Sequence, residues 1–70
     1  MEEFKLEGTE YIELKSLLKA CGMVETGGHA KTAITEGQVL VNGVVETRKA
    51  NKIKPGMVVT FEGESIKVIA

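Results

Sequence analysis

The sequence predicts an α+β fold, with two N-terminal helices packed on a small, mostly antiparallel sheet of hairpins. Three observations predict it. Between Tyr11 and Ile34 the apolar residues recur at three- and four-residue spacing, the period of a helix face. At Gly37 a residue without a side chain can take the left-handed conformation that closes a helix. Beyond it, Val39-Leu40-Val41, Asn42-Gly43 and Val44-Val45 read as strand, two-residue turn and return strand. Both central positions of such a turn need positive φ, which Asn and Gly supply.

In chain order, Met1 to Glu7 alternates, with Phe4 and Leu6 inward and Lys5 and Glu7 outward, as in a short edge strand ended by Gly8. Thr9 is a candidate N-cap for a first helix, and Glu10 and Glu13 put negative charge near its positive end. Tyr11, Leu14, Leu18 and Cys21 form the apolar stripe, Leu17 widens it, and Gly22 ends the helix. Tyr11 and Cys21 are accordingly expected at the core or its edge. Thr26 can cap a second helix from about Gly27 to Glu36, with Ala30, Ala33 and Ile34 inward. Two glycines in its first turn are poor helix formers, and imply that a neighbouring helix or a ligand approaches the backbone there. After the hairpin, Pro55-Gly56 makes a turn. Met57 to Glu62 and Ser65 to Ile69 are the last two strands, joined around Gly63-Glu64.

Seventy residues make a single domain over 1–70, one that buries roughly 60% of the surface of its unfolded chain. That leaves no room for separate cofactor and substrate domains. No apolar run approaches a membrane span, and Met1-Glu2-Glu3 has no signal-peptide character. One cysteine cannot form an internal disulfide, and one Cys with one His cannot build a structural zinc site. A cytoplasmic, reduced protein without metal or cofactor is expected. His29 has no Cys, Asp or Ser at a spacing that makes a catalytic partner, and no paired carboxylates stand out, so no enzyme is expected. Gly27-Gly28-His29-Ala30-Lys31-Thr32 superficially resembles a phosphate-binding P-loop. That motif needs a glycine directly before the lysine and a strand before the loop, and here both are missing.

The formal net charge is −1, but it is unevenly spread. Residues 1–25 hold six Glu against three Lys. Residues 26–54 hold Lys31, Arg48, Lys49, Lys52 and Lys54 against Glu36 and Glu46, a basic island in an acidic chain. A charge run of this kind is most often a solvated face, and by itself it names no partner.

The order of elements and the residues at their joints resemble the S-four RNA-binding domain, also called the alpha-L RNA-binding motif. The matching positions are Leu14, Leu17 or Leu18, Gly22, Thr26, Ala30-Lys31, Ala33-Ile34, Gly37, Val39, Val41-Asn42-Gly43, Ile53, Pro55-Gly56 and Val58. They run from about Tyr11 to Phe61, and with Glu46-Thr47-Arg48-Lys49 the chain looks most like the small free-standing bacterial members, the YbcJ-like group. Many members open the second helix with Ser-Arg and use that arginine on RNA. Thr26-Gly27 stands there in this chain, which shifts the load to Lys31 and to Arg48 through Lys54.

The resemblance implies non-catalytic binding of structured RNA, ribosomal or transfer, with ribosomal subunits as further partners. It implies no membrane or small-molecule substrate, and a monomer is expected. The residues that would carry binding are Thr26, Gly28, His29, Lys31, Gln38, Arg48, Lys49, Lys52 and Lys54. Arg48 offers a planar fork for phosphate and the lysines looser point charges. Of three aromatic residues, Phe4 and Phe61 read as buried, so backbone and shape recognition is expected rather than base stacking. Asn42 is a further polar candidate, with the turn as its stronger role. The competing reading is a small protein-interaction module whose basic island meets an acidic protein surface.

Overall fold

The computed structural model describes residues 1–70. Its elements are β1 (Glu2–Lys5), β2 (Ile12–Glu13), α1 (Leu14–Ala20), α2 (Gly27–Thr35), β3 (Val39–Val41), β4 (Val44–Val45), β5 (Lys52–Ile53), β6 (Val58–Phe61) and β7 (Glu64–Ile69). Five strands form one sheet in the order β1-β7-β6-β3-β4, and β2 and β5 form a separate antiparallel pair. The α+β architecture is the one the sequence predicts.

Strand alternation puts Val39, Val41, Val59, Phe61, Ile66 and Val68 on the buried side of the sheet. Leu14, Leu17 and Leu18 of α1 and Ala30, Ala33 and Ile34 of α2 complete the same core, together with Leu6, Val24 and Ile53. Each of the larger side chains gains about 1.5–3 kcal/mol from leaving water. The small Ala30 and Ala33 let the two helices sit close together above the sheet.

At the β3–β4 turn Asn42 (φ 52°) and Gly43 (φ 80°) both take positive φ, as the pairing of Val41 with Val44 requires. Asn42 also ties the hairpin to β6. Its backbone N–H donates to the Val58 carbonyl at 2.8 Å, and its side-chain Oδ1 accepts from the Val58 N–H at 2.9 Å.

Several expectations are corrected. The sheet is not built from local hairpins alone, since β1 joins β7 in parallel and β3 pairs with β6 across the basic segment. The last hairpin turns at Glu62-Gly63, one residue earlier than expected, with Phe61 facing Glu64. The first helix begins at Leu14, not after Thr9, whose hydroxyl instead donates to the Leu6 carbonyl. Ile12 and Glu13 are extended and pair with Ile53 and Lys52. Tyr11 is therefore no core residue. It is 38% exposed, and the Lys52 ammonium sits 5.1 Å from its ring centroid. Cys21 is half-buried against the core, as its place on the stripe implies.

Candidate functional site

The shortened start of α1 explains how the basic loop is held. No side chain caps this helix. Its first free N–H groups are taken by loop carbonyls: Leu14 N–H donates to Asn51 O at 2.9 Å, and Lys15 N–H donates to Lys49 O at 3.1 Å. Residues 46–51 thus lie against the N-terminal end of α1, and β5 follows directly beside β2. Helix α2 starts on the predicted cap, with the Thr26 hydroxyl oxygen accepting from His29 N–H at 3.0 Å.

Docking the loop on α1 makes two adjoining grooves. Lys31, Thr35, Thr47, Arg48, Lys49, Ala50, Asn51 and Lys52 line the first, which holds about 680 Å³. The second, of about 400 Å³, is lined by Lys15, Ser16, Lys19, Gly27, Gly28, Lys31 and Lys49. Lys31 and Lys49 belong to both and form the waist between them. Six of the nine cationic side chains of the protein meet here, and none of its ten carboxylates lines either groove. Ala50 is the one lining residue with an apolar side chain, and at least half of the lining residues of each groove are cationic.

Of the residues singled out from the sequence, Gly28, Lys31, Arg48, Lys49 and Lys52 line this double groove. Thr26 acts as the α2 cap. His29 turns towards the sheet, its ring edge-on to Phe61 with centroids 6.3 Å apart. Gln38 and Lys54 line neither groove. Gln38 Nε2 donates to Glu36 Oε1 at 3.4 Å, and the Lys54 N–H points at Met57 Sδ, 3.1 Å away.

Sequence reading missed Lys15 and Lys19, which lie in the acidic first 25 residues and outside the basic island. Lys15 has only a loose contact with Glu13 at 3.9 Å. It also missed Thr35, Thr47 and Asn51. The docking of the loop on α1 brings these together, and no local signal carries that information.

The two glycines of α2 have open space around them. A Cβ on Gly27 would meet nothing within 4 Å, and one on Gly28 would meet only the Thr26 hydroxyl oxygen at 3.9 Å. Close approach of the neighbouring helix is therefore not the reason for them. Both face the second groove, where the first N–H groups of α2 lie beside Lys31 and Lys49.

Arg48 differs from the free phosphate fork expected of it. Its Nε donates to Glu46 Oε2 at 3.0 Å, and its Nη2 donates to Glu46 Oε1 at 3.1 Å. The Arg48 backbone N–H adds a third bond to Oε2 at 2.9 Å. These bonds hold the Glu46 carboxyl down at about 2, and the same pairing raises the Arg48 guanidinium.

The family model of the S4 domain matches residues 4–69. A protein of Escherichia coli strain K12, named "Putative RNA-binding protein YbcJ", is 50% identical over 70 residues, the full length of both chains. The Bacillus subtilis strain 168 protein "Probable ribosome maturation protein RlbA" is 40% identical over 55 residues, 79% of this chain and 78% of that one. Among solved structures, the solution structure of YbcJ from E. coli superposes with a TM-score of 0.77 at 50% identity. It covers all of this chain and 89% of that one, and it is described as revealing an alfaL motif involved in RNA-binding.

Proposed function

The chain belongs to the S4 domain family, and from that premise we propose that it binds structured RNA, ribosomal RNA foremost, through the double groove and catalyses no reaction. It acts in this reading as a monomer in the cytoplasm. The observation that carries it is the convergence of Lys15, Lys19, Lys31, Arg48, Lys49 and Lys52 on two adjoining grooves that no carboxylate lines, in an acidic protein. A polyanion is the ligand such a face attracts. The names of the E. coli and B. subtilis relatives support the same direction.

Lys31 and Lys49 sit where the two grooves meet, so a phosphate at the waist is within reach of both. Lys15 and Lys19 serve one run of backbone, and Lys52 serves the other. Ammonium groups on flexible stems follow a phosphate chain without reading bases. The shape of a folded RNA then decides which molecule fits.

The test is a salt-titrated binding assay with purified total ribosomal RNA, comparing wild type with Lys31→Glu, Lys49→Glu. Both positions are exposed, and surface substitutions of this kind usually change stability by no more than about 0.5 kcal/mol. With three to five phosphates neutralised, log affinity is expected to fall with log salt at a slope of about −2 to −4. The folded variant is expected to lose binding. Undiminished binding by that variant would remove the face from consideration, and capture of an acidic protein that survives ribonuclease would replace RNA as the partner.

A further inference from the structure

We propose that Glu46 is a positioning residue of the RNA-binding face, holding the 46–51 loop in the shape that presents Lys49 to RNA and keeping the Arg48 fork on the protein. The inference rests on the RNA-binding reading above.

Four bonds converge on this one carboxylate. Oε2 accepts from the Arg48 N–H and from Arg48 Nε, and Oε1 accepts from Arg48 Nη2 and from Asn51 Nδ2, the last at 3.2 Å. The two ends of the loop are thereby tied through a single side chain. Asn51 N–H donates to Arg48 O at 3.2 Å and tightens the same turn. Lys49 lies inside it. The carbonyls of Lys49 and Asn51 are the groups that receive the N–H bonds of α1, so the shape of the loop also fixes its register on the helix. Glu46 itself stays behind the groove, with its side chain only 15% exposed and lining neither groove. It anchors to the sheet through its N–H, which donates to Val39 O at 3.0 Å.

Arg48 reads differently in this light. Its side chain is 75% exposed, yet its Nε–Nη2 edge is already on a carboxylate, which leaves the Nη1 side as its open donor edge. It works as the other half of the latch, and phosphate contact falls mainly to the lysines.

The sign of one substitution separates this account from simple charge. Glu46→Gln keeps the shape of the side chain and removes one negative charge near RNA, so a field effect alone tightens binding. A lost positioning residue weakens it, here by about fivefold or more. The double variant Glu46→Gln, Arg48→Gln leaves net charge unchanged, so charge alone predicts wild-type affinity where positioning predicts a loss.

Binding to purified total ribosomal RNA at fixed ionic strength is measured for wild type, both variants and Lys49→Glu. Circular dichroism reports the fold, and the Leu14 and Lys15 amide resonances report the docking of the loop. Weaker binding by both Glu46 variants at native fold, with those two amides shifted, supports the proposal. Affinity equal to or above wild type in either overturns it. Loss of binding in Lys49→Glu alone rejects this inference and leaves the RNA-binding face standing. Normal binding by Lys49→Glu overturns this inference alone, and absence of RNA binding by the wild type overturns the reading on which it rests. Should Glu46→Gln fail to fold, Glu46→Asp keeps the charge, shortens the side chain away from Arg48 and Asn51, and is read by the same criteria.

Discussion

At the residue scale, exposure and availability are different properties, and Arg48 separates them. A guanidinium in water has lost one of its two donor edges when a carboxylate two residues away already occupies it. The pairing has a pH signature. The Glu46 carboxyl lies at about 2 in the folded protein against an ordinary 4.5, because ionisation is favoured by the Arg48 bonds. A depressed carboxyl stabilises the fold fully above its unfolded value and loses that contribution as pH falls towards the folded one. The stability gap between wild type and Glu46→Gln is therefore expected to be constant above the ordinary carboxylate range and to close between about 4.5 and 2, as read by denaturant melts across pH. Asn42 carries a second residue-scale prediction. It combines positive φ with a side-chain bond to β6. Asn42→Ala loses the bond and forces alanine into the left-handed conformation, and is expected to cost about 1–3 kcal/mol in a urea melt. Cys21 is a third case: burial pushes its thiol up, so alkylation is expected to be slower than for a free thiol at the same pH.

At the element scale, the two helices start by different means. Helix α2 carries its own cap in Thr26, and Thr26→Ala is expected to cost about 1 kcal/mol of stability. Helix α1 borrows its cap from the 46–51 loop, which is why the sequence around Thr9 misleads. Thr9 and Glu10 look like a helix start, but the pairing of Ile12 with Ile53 draws that segment into a strand. The glycines of α2 give a prediction of mixed sign. Neither has positive φ and neither is crowded, so Gly28→Ala is expected to stabilise the fold by about 0.5–1 kcal/mol. The same methyl stands in the second groove, where RNA would pass. A higher melting temperature with lower RNA affinity is expected, and calorimetry with the binding assay checks both.

At the scale of the whole molecule, a 70-residue protein has a total stability of about 4–10 kcal/mol. Single core positions therefore decide whether it folds. Ile53 is fully buried, pairs with Ile12 and follows directly on the basic loop. Ile53→Ala is expected to cost about 2–5 kcal/mol, with a thermal melt as the measure, and any loss of RNA binding should track the unfolded fraction. The fold also sorts charge. An acidic chain keeps its carboxylates out of both grooves and gathers cations from α1, α2 and the loop on one face.

The elements whose signals are local were legible in the chain. The Asn42-Gly43 turn, the Thr26 cap, the buried faces of both helices and the glycine stop at Gly37 each follow from a few neighbouring residues with a fixed conformational preference. The α+β class and the presence of a basic island followed from these. Where the island points and what joins it depend on the folded chain. The capping of α1 by Lys49 and Asn51, the exposure of Tyr11, the entry of Lys15 and Lys19 into the groove and the parallel union of β1 with β7 depend on pairings between segments far apart in the chain. Such pairings are selected by the burial of a shared core, a property of the whole chain that no short window of it contains.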